Sequence, residues 1–208
     1  MNKNIFYKVS TCFLFLLALG TSHQYVYGMQ QNNQAPLHNP IVEEIVSLKT
    51  KLARVYRRRF YNAYDSKIVS KLEAATRIRI QKHIDENPKL IDAQHSNGVT
   101  PLVEAATLLN IASFILDLGA NPNGTDTLKS TSLIYAAKDM NPSAISLLLS
   151  KGANANLRNK HNQCAADYVS TAAWLDKAKR HQSLQLLLAA MPAQEAASYF
   201  AKHSITPI

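Results

Sequence analysis

Few residues in this 208-residue chain have the types and spacing that chemistry requires. Cys164 follows His161 by three residues, a spacing that would suit a nucleophile and its base. Cys164, however, stands where a repeated pattern elsewhere in the chain has a helix-capping Thr, so we assign both residues structural roles. The seven histidines are scattered singly, and neither a metal-binding pair nor a Gly-rich phosphate loop occurs. The sequence therefore predicts no catalytic residue, metal site, cofactor or enzymatic activity.

The acidic residues and cysteines support the same prediction. Asp167, Asp176 and Glu195 look like isolated carboxylates without an evident partner. Two cysteines are too few for a disulfide scaffold or a multi-cysteine zinc cluster.

The formal net charge of +9 permits nucleic acid, an acidic protein or anionic lipid as a partner.

The basic charge is regional. Residues 49–82 contain eleven basic and two acidic residues, and residues 41–64 are predicted to form one amphipathic helix. One interpretation is that its basic side contacts phosphate groups or anionic lipid. The other is that its apolar side packs on the first repeat while the basic side is solvated. The candidate anion contacts are Lys51, Arg54, Arg57, Arg58 and Arg59.

Residues 1–28 have the pattern of a secretory signal peptide. Lys3 and Lys8 precede an apolar run over residues 9–19, and small residues follow at Gly20, Ser22 and Gly28. The run is too short for a bilayer core of about 30 Å. A buried N-terminal helix is the alternative. We expect cleavage after Gly28 or after Ser22, and export to a periplasm, a cell envelope or the medium.

The middle of the chain repeats itself. Residues 98–106 and 114–123 align with residues 129–137 and 147–156, and a third, eroded copy begins near residue 159. The copies recur at a spacing of roughly 33 residues, which is typical of a stacked solenoid. Upstream, residues 68–75 and 80–84, followed by 87–92, look like a degenerate entry repeat.

The residues of each copy suit a turn followed by two short helices. Thr100 and Asn141 each precede a Pro, which indicates a helix cap and a first helical position. Gly119 and Gly152 are placed to end helices in the left-handed conformation. The third copy departs from this pattern, because Asn162 replaces the turn Gly and Cys164 replaces the capping Thr.

These motifs, Gly-x-Thr-Pro-Leu-x-x-Ala-Ala followed by Leu-Leu-x-x-Gly-Ala-Asn-x-Asn, resemble the ankyrin repeat family. The resemblance implies an all-α solenoid of three to four paired-helix repeats. It also implies a non-catalytic protein that binds another protein. Together with the signal-peptide pattern, we expect an exported, bacterial protein of this kind, with the electrostatic tether of residues 49–82 as the alternative. We expect a monomer. The predicted organisation is a signal peptide (1–28), a flexible polar segment (29–40), the basic helix (41–64), an entry cap (65–93), two repeats (94–124 and 125–157), a terminal cap (158–192) and a C-terminal helix and tail (193–208).

Partners of ankyrin repeats usually contact the hairpin tips and the inner face of the first helices, so the resemblance implies a partner-binding set in this chain. Each residue of the set has a solvated turn position as its alternative interpretation. The set is Gln94, Ser96, Asn97, Val99, Thr107, Leu108, Thr125, Thr127, Leu128, Ser130, Lys138, Asp139, Arg158, Lys160, His161 and Gln163.

Overall fold

The computed structural model describes residues 38–58, 66–171 and 177–203. The predicted signal peptide and most of the polar segment after it lie outside these residues. The described residues form α-helices, one 3-10 turn at Pro88–Ile91 and a single isolated bridge. The helices are α1 (Pro40–Arg58), α2 (Ser66–Glu86), α3 (Pro101–Ala105), α4 (Leu109–Asp117), α5 (Ser132–Lys138), α6 (Pro142–Ser150), α7 (Ala165–Thr171), α8 (Lys177–Ala189) and α9 (Ala193–His203).

The chain divides into two compact units. The N-terminal unit contains α1, α2 and residues 94–98, and the repeat unit contains residues 91–93 and the chain from Val99 onward. The turn of the first repeat therefore belongs to one unit and its helices to the other.

In the N-terminal unit, α1 packs against α2. The apolar residues of α1 recur at helical spacing, so one side of the helix is buried, as the amphipathic pattern predicted. Those residues are Ile41, Ile45, Leu48 and Leu52. An ion pair of 2.6 Å between Arg79 Nε and Glu44 Oε2 joins the two helices. Residues 68–75 and 80–84, which looked like separate parts of an entry repeat, form one continuous helix, because no Gly or Pro interrupts residues 66–86.

In the repeat unit, the helices form two rows. The inner row consists of the first helices of successive copies, α3, α5 and α7, which contact one another in order. The outer row consists of the second helices, α4, α6 and α8, which do the same. The buried side chains between the rows are mostly aliphatic, and the largest are Leu102, Ile111, Ile115, Leu133, Ile134, Ile145, Leu148 and Leu187. Burial of such side chains stabilises each helix pair against its neighbour.

The predicted caps are confirmed. The Thr100 and Thr131 hydroxyls accept hydrogen bonds from the backbone N–H groups of Val103 and Ile134, at 3.4 and 3.3 Å. The Asn141 Oδ1 atom accepts one from Ala144 at 3.1 Å. Gly119 and Gly152 have φ angles of +95° and +88°, which is the left-handed region that Gly tolerates best.

Asparagine side chains join neighbouring copies through their loops. Asn123 Oδ1 accepts a 2.7 Å hydrogen bond from the Asn154 backbone N–H of the next copy, and Asn123 Nδ2 donates to the Gly152 carbonyl at 3.2 Å. One copy earlier, Asp92 Oδ1 accepts from the Asn121 N–H at 2.9 Å. The Asn-x-Asn motif therefore fixes the register of the stack as well as the local turn.

The C-terminal helix α9 folds back on the last repeat. The Tyr199 side chain is buried and its hydroxyl donates a 2.8 Å hydrogen bond to the Ala166 carbonyl in α7. None of the helices in the described ranges is long and apolar enough to cross a membrane.

Candidate functional site

The hairpin of the second copy is organised by a buried carboxylate. Asp126 is 5% exposed, and its Oδ1 atom accepts hydrogen bonds from the backbone N–H groups of Leu128 and Ser130, both at 2.8 Å. Its Oδ2 atom accepts a 2.7 Å hydrogen bond from the Tyr135 hydroxyl in α5. The hairpin tip is thus fixed to the inner helix by side-chain hydrogen bonds, with Lys129 in the left-handed region at a φ of 57°.

The third copy builds the same turn with an amide at the equivalent position. Asn159 Oδ1 accepts from the N–H groups of His161 and Gln163, at 2.9 and 3.1 Å. Asn159 Nδ2 donates to the Tyr168 hydroxyl oxygen at 2.8 Å. Asn162 takes the left-handed position, with a φ of 58°. Asn162 therefore adopts the left-handed conformation at the position where the repeat pattern has Gly.

The two hairpin tips are connected. The Lys160 backbone N–H donates a 2.8 Å hydrogen bond to the Leu128 carbonyl. The Leu128 side chain is 36% exposed, a large apolar group at the tip of the second hairpin. The connection places Leu128 and Lys160 on one continuous part of the surface.

On the inner row of helices, a lysine lies over two tyrosine rings. Lys138 Nζ is 5.0 Å from the centre of the Tyr135 ring and 4.9 Å from that of Tyr168. Both distances suit cation–π attraction. Since each tyrosine is hydrogen-bonded to the hairpin of its own copy, Lys138 stands beside the hairpins. We call the exposed residues Leu128, Lys129, Lys138, Lys160 and His161 the double-hairpin surface.

Comparison with known families agrees with this geometry. The family model for ankyrin repeats (3 copies) matches residues 70–159. The fold is an all-α ankyrin solenoid. The match begins inside α2 and ends at the third hairpin, before α7, α8 and α9. No curated protein shows significant similarity to the chain. Ankyrin repeats are generally protein–protein interaction modules and are typically non-catalytic.

The predicted partner-binding residues of the second and third ankyrin copies fall into three classes. Thr127, Leu128, Lys138, Arg158, Lys160 and His161 are exposed, and Thr125, Asp139 and Gln163 are half-buried. Ser130 is 2% exposed, which contradicts its place in the set. Its N–H donates to Asp126 Oδ1 and its carbonyl accepts from the Asp126 N–H, so the closed hairpin holds it inside.

The predicted residues of the first ankyrin copy belong to two units. In the N-terminal unit, Gln94 and Ser96 are exposed and Asn97 is half-buried. In the repeat unit, Val99, Thr107 and Leu108 are half-buried, and they are less accessible than the tip of the second hairpin.

The predicted anion-contact residues are only partly described. Arg54 is exposed and Lys51 is half-buried, whereas the side chains of Arg57 and Arg58, and all of Arg59, lie outside the described part of the chain. The exposed face of α2 was not predicted from the sequence. On it, Lys67, Lys71, Ile78 and Lys82 recur at spacings of four and seven residues. Ile78 is 72% exposed there. The helical period of these exposed positions is the signal that would have identified the face.

A structural role was predicted for Cys164. Cys164 is buried, and desolvation raises the pKa of its thiol, which disfavours the reactive thiolate. Asp167 is not isolated, contrary to the sequence-based expectation. Its Oδ2 atom accepts a 2.9 Å hydrogen bond from the Cys164 N–H and lies 3.4 Å from Arg158 Nη1. The described residues contain no group of three or more His, Cys, Asp or Glu side chains able to hold a metal ion.

The outer row of helices carries a groove of about 550 Å³. Apolar side chains from α4, α6 and α8 line it together with serine and amide groups. The apolar members are Leu109, Pro142, Leu147 and Leu186. The groove lies on the outer helices and contains none of the predicted partner-binding residues.

Proposed function

We propose that this chain is an exported, non-catalytic module that binds a protein partner through its hairpin tips and the inner face of its first helices. The observation that carries the proposal is the joined tip of the second and third hairpins. It presents the exposed side chain of Leu128 next to Lys160. The general role of ankyrin repeats in protein–protein interaction supports it.

The rigidity of these hairpins favours a binding role. Asp126 and Asn159 satisfy backbone donors at the base of each tip, so the backbone that carries the exposed side chains is held in place before a partner arrives. A preorganised surface loses less conformational entropy on binding than a flexible loop does. An exposed leucine at such a tip is a suitable apolar anchor for a partner.

Affinity capture tests this function. The bait is the full chain, immobilised after nuclease treatment and exposed to an extract of the cells that produce it at low and high salt. The test variant carries Leu128→Ser, Lys138→Gln and Lys160→Gln, which are changes at exposed positions. The matched control is Leu109→Ser, because Leu109 is 39% exposed but lines the outer groove.

We expect one protein to be retained by the parent and by the control at high salt, and to be lost by the triple variant. If the triple variant retains the protein and the Leu109→Ser control loses it, the hairpin surface is not the binding site. Circular dichroism of each variant should match the parent and show that the fold is intact.

Export is a separate part of the proposal, supported by the basic, apolar and small-residue pattern of residues 1–28. Expression of the full chain in a bacterial host, followed by fractionation and mass measurement, tests it. We expect the exported protein to have lost residues 1–28, or residues 1–22 if the rival site is used. A full-length mass confined to the cytoplasmic fraction would contradict export.

A second candidate function is electrostatic attachment to an anionic membrane surface or to nucleic acid. The exposed lysines of α2, at positions 67, 71 and 82, together with exposed Ile78, favour it. Replacement of all three lysines with Gln should abolish co-sedimentation with anionic vesicles or retention on an oligonucleotide column. The same number of changes at Lys177, Lys179 and Lys151 is the matched control. Equal loss in both variants would remove the special role of α2.

A further inference from the structure

The double-hairpin surface carries charge of one sign. Its exposed ionisable side chains are Lys129, Lys138, Lys160 and His161. Lys129 and Lys160 form no ion pair with any residue that the structure describes. The cations therefore face solvent and are available to a partner of opposite charge.

The acidic residues that the structure describes in the same two copies are buried or half-buried. Asp126 is buried and accepts three hydrogen bonds, and Asp167 is 7% exposed beside Arg158. Asp139 is half-buried at the end of α5. Hence the Asp126 carboxylate serves the hairpin and the Asp167 carboxylate serves a helix cap, while the ammonium groups remain outside.

The Lys138 side chain is exposed and is also held by contacts with its neighbours. Its ammonium group lies over the rings of Tyr135 and Tyr168, and the Tyr168 hydroxyl oxygen accepts a hydrogen bond from Asn159. Asn159 directly precedes Lys160, whose N–H bonds to the Leu128 carbonyl. A chain of contacts thus links Lys138, Lys160 and Leu128 into one site with two cations and one apolar group.

The same contacts disfavour nucleic acid as the ligand. Single-stranded nucleic acid gains affinity by stacking bases on free aromatic faces. Here the Lys138 ammonium already lies over one face of each tyrosine ring. A phosphate backbone offers no apolar group that could pack against Leu128, whereas a protein segment can place an apolar side chain there.

We propose that the double-hairpin surface recognises an acidic protein segment, with Asp or Glu carboxylates on Lys138 and Lys160 and an apolar side chain against Leu128. The inference rests on the proposed function and specifies the chemistry of its partner.

A display library of random peptides, selected on the immobilised full chain at about 0.15 M salt, tests this specificity. Enriched peptides are then synthesised, together with versions in which every Asp and Glu is replaced by the corresponding amide. Their affinities are measured for the parent, for the Lys138→Gln/Lys160→Gln variant and for the Lys177→Gln/Lys179→Gln control, whose exposed lysines lie on α8. A single-stranded oligonucleotide serves as competitor.

We expect the enriched peptides to be acidic with at least one large apolar residue. The Lys138→Gln/Lys160→Gln variant should bind them at least about tenfold more weakly, as should the parent with the amide versions, because each charge-assisted contact is lost. The Lys177→Gln/Lys179→Gln control should bind like the parent.

Neutral peptides that lose binding in a Leu128→Ser variant would overturn this inference while leaving the interaction function in place. Acidic peptides that bind the Lys138→Gln/Lys160→Gln variant as well as the parent would also overturn it. A library that yields no binder for the parent would overturn this inference, whereas the proposed function fails only if affinity capture also retains no protein. Complete displacement of the peptides by the oligonucleotide would favour nucleic acid as the ligand.

Discussion

The second and third hairpins form the same turn from different residues. In the second, the Asp126 carboxylate accepts from two backbone N–H groups and from the Tyr135 hydroxyl. In the third, Asn159 accepts from two backbone N–H groups and donates to the Tyr168 hydroxyl oxygen. The hydrogen bond to the tyrosine runs in opposite directions, yet the positive-φ residue that follows has nearly the same φ, 57° at Lys129 and 58° at Asn162.

The helix caps differ further, because the two side chains accept from different backbone donors, the Ile134 N–H inside α5 and the Cys164 N–H before α7. Thr131 caps α5 with its own hydroxyl, whereas Asp167 reaches back from inside α7 to the Cys164 N–H. The comparison shows that the turn is defined by the backbone donors that need partners. Any side chain that supplies an acceptor at the right place can satisfy them.

Removal of the Asp126 or Asn159 side chain, which organises a hairpin, should have the largest effect on stability. We expect Asp126→Ala to lower the free energy of unfolding by about 3 kcal/mol and Asn159→Ala by about 2 kcal/mol, since hydrogen bonds to a charged acceptor are the stronger ones. Urea denaturation followed by circular dichroism measures both. Equal losses at the two positions would show that the charge of Asp126 adds nothing to the turn.

Removal of the Asp167 side chain, which caps α7, should lower stability less. Asp167→Ala leaves the Cys164 N–H without its side-chain acceptor and Arg158 without its ion pair, so we expect a loss of about 1.5 kcal/mol in the free energy of unfolding. Glu195→Ala, at an exposed position of α9, is the control and should change stability by less than about 0.5 kcal/mol. A similar small change for Asp167→Ala would mean that the cap is dispensable.

Exchange of Asp and Asn between positions 126 and 159 should lower stability less again. Asp126→Asn should lower the free energy of unfolding by about 1 kcal/mol or less, because the third hairpin shows that an amide can make the same contacts. Asn159→Asp is the reciprocal change, in which the Tyr168 hydroxyl becomes the donor. A loss at position 126 as large as that of Asp126→Ala would contradict the equivalence of the two hairpins.

The smallest expected effect is at the left-handed position. Asn tolerates positive φ better than Lys, so Lys129→Asn should raise the free energy of unfolding by about 0.5 kcal/mol. Asn162→Lys should lower it by a similar amount. If both changes have the same sign, the φ angle is not what separates the two residues at this position.

The caps and helix ends were predictable from the sequence because they depend on neighbouring residues. Thr100, Asn141, Gly119 and Gly152 each act within a few positions of their place in the chain, and all four were predicted correctly. Such signals are local, so a single repeat reveals them.

Other features depend on contacts that form only in the folded chain. Ser130 was predicted at the surface, but the closed hairpin buries it against Asp126. Asp167 looked isolated because its partners, the Cys164 N–H and Arg158, are brought together by the third turn. The cation–π contacts of Lys138 unite tyrosines from two successive copies, which repeat spacing suggests only once the stack is known.

A photo-reactive phenylalanine analogue, placed at position 128 in one protein and at position 109 in another, shows which surface of the repeat unit meets the partner. Both native leucines are exposed, but one lies at the hairpin tip and the other lines the outer groove. After irradiation in an extract of the producing cells, we predict a cross-linked protein from position 128 that excess unmodified chain suppresses, and none from position 109. A suppressible cross-link from position 109 alone would contradict the hairpin surface as the binding site.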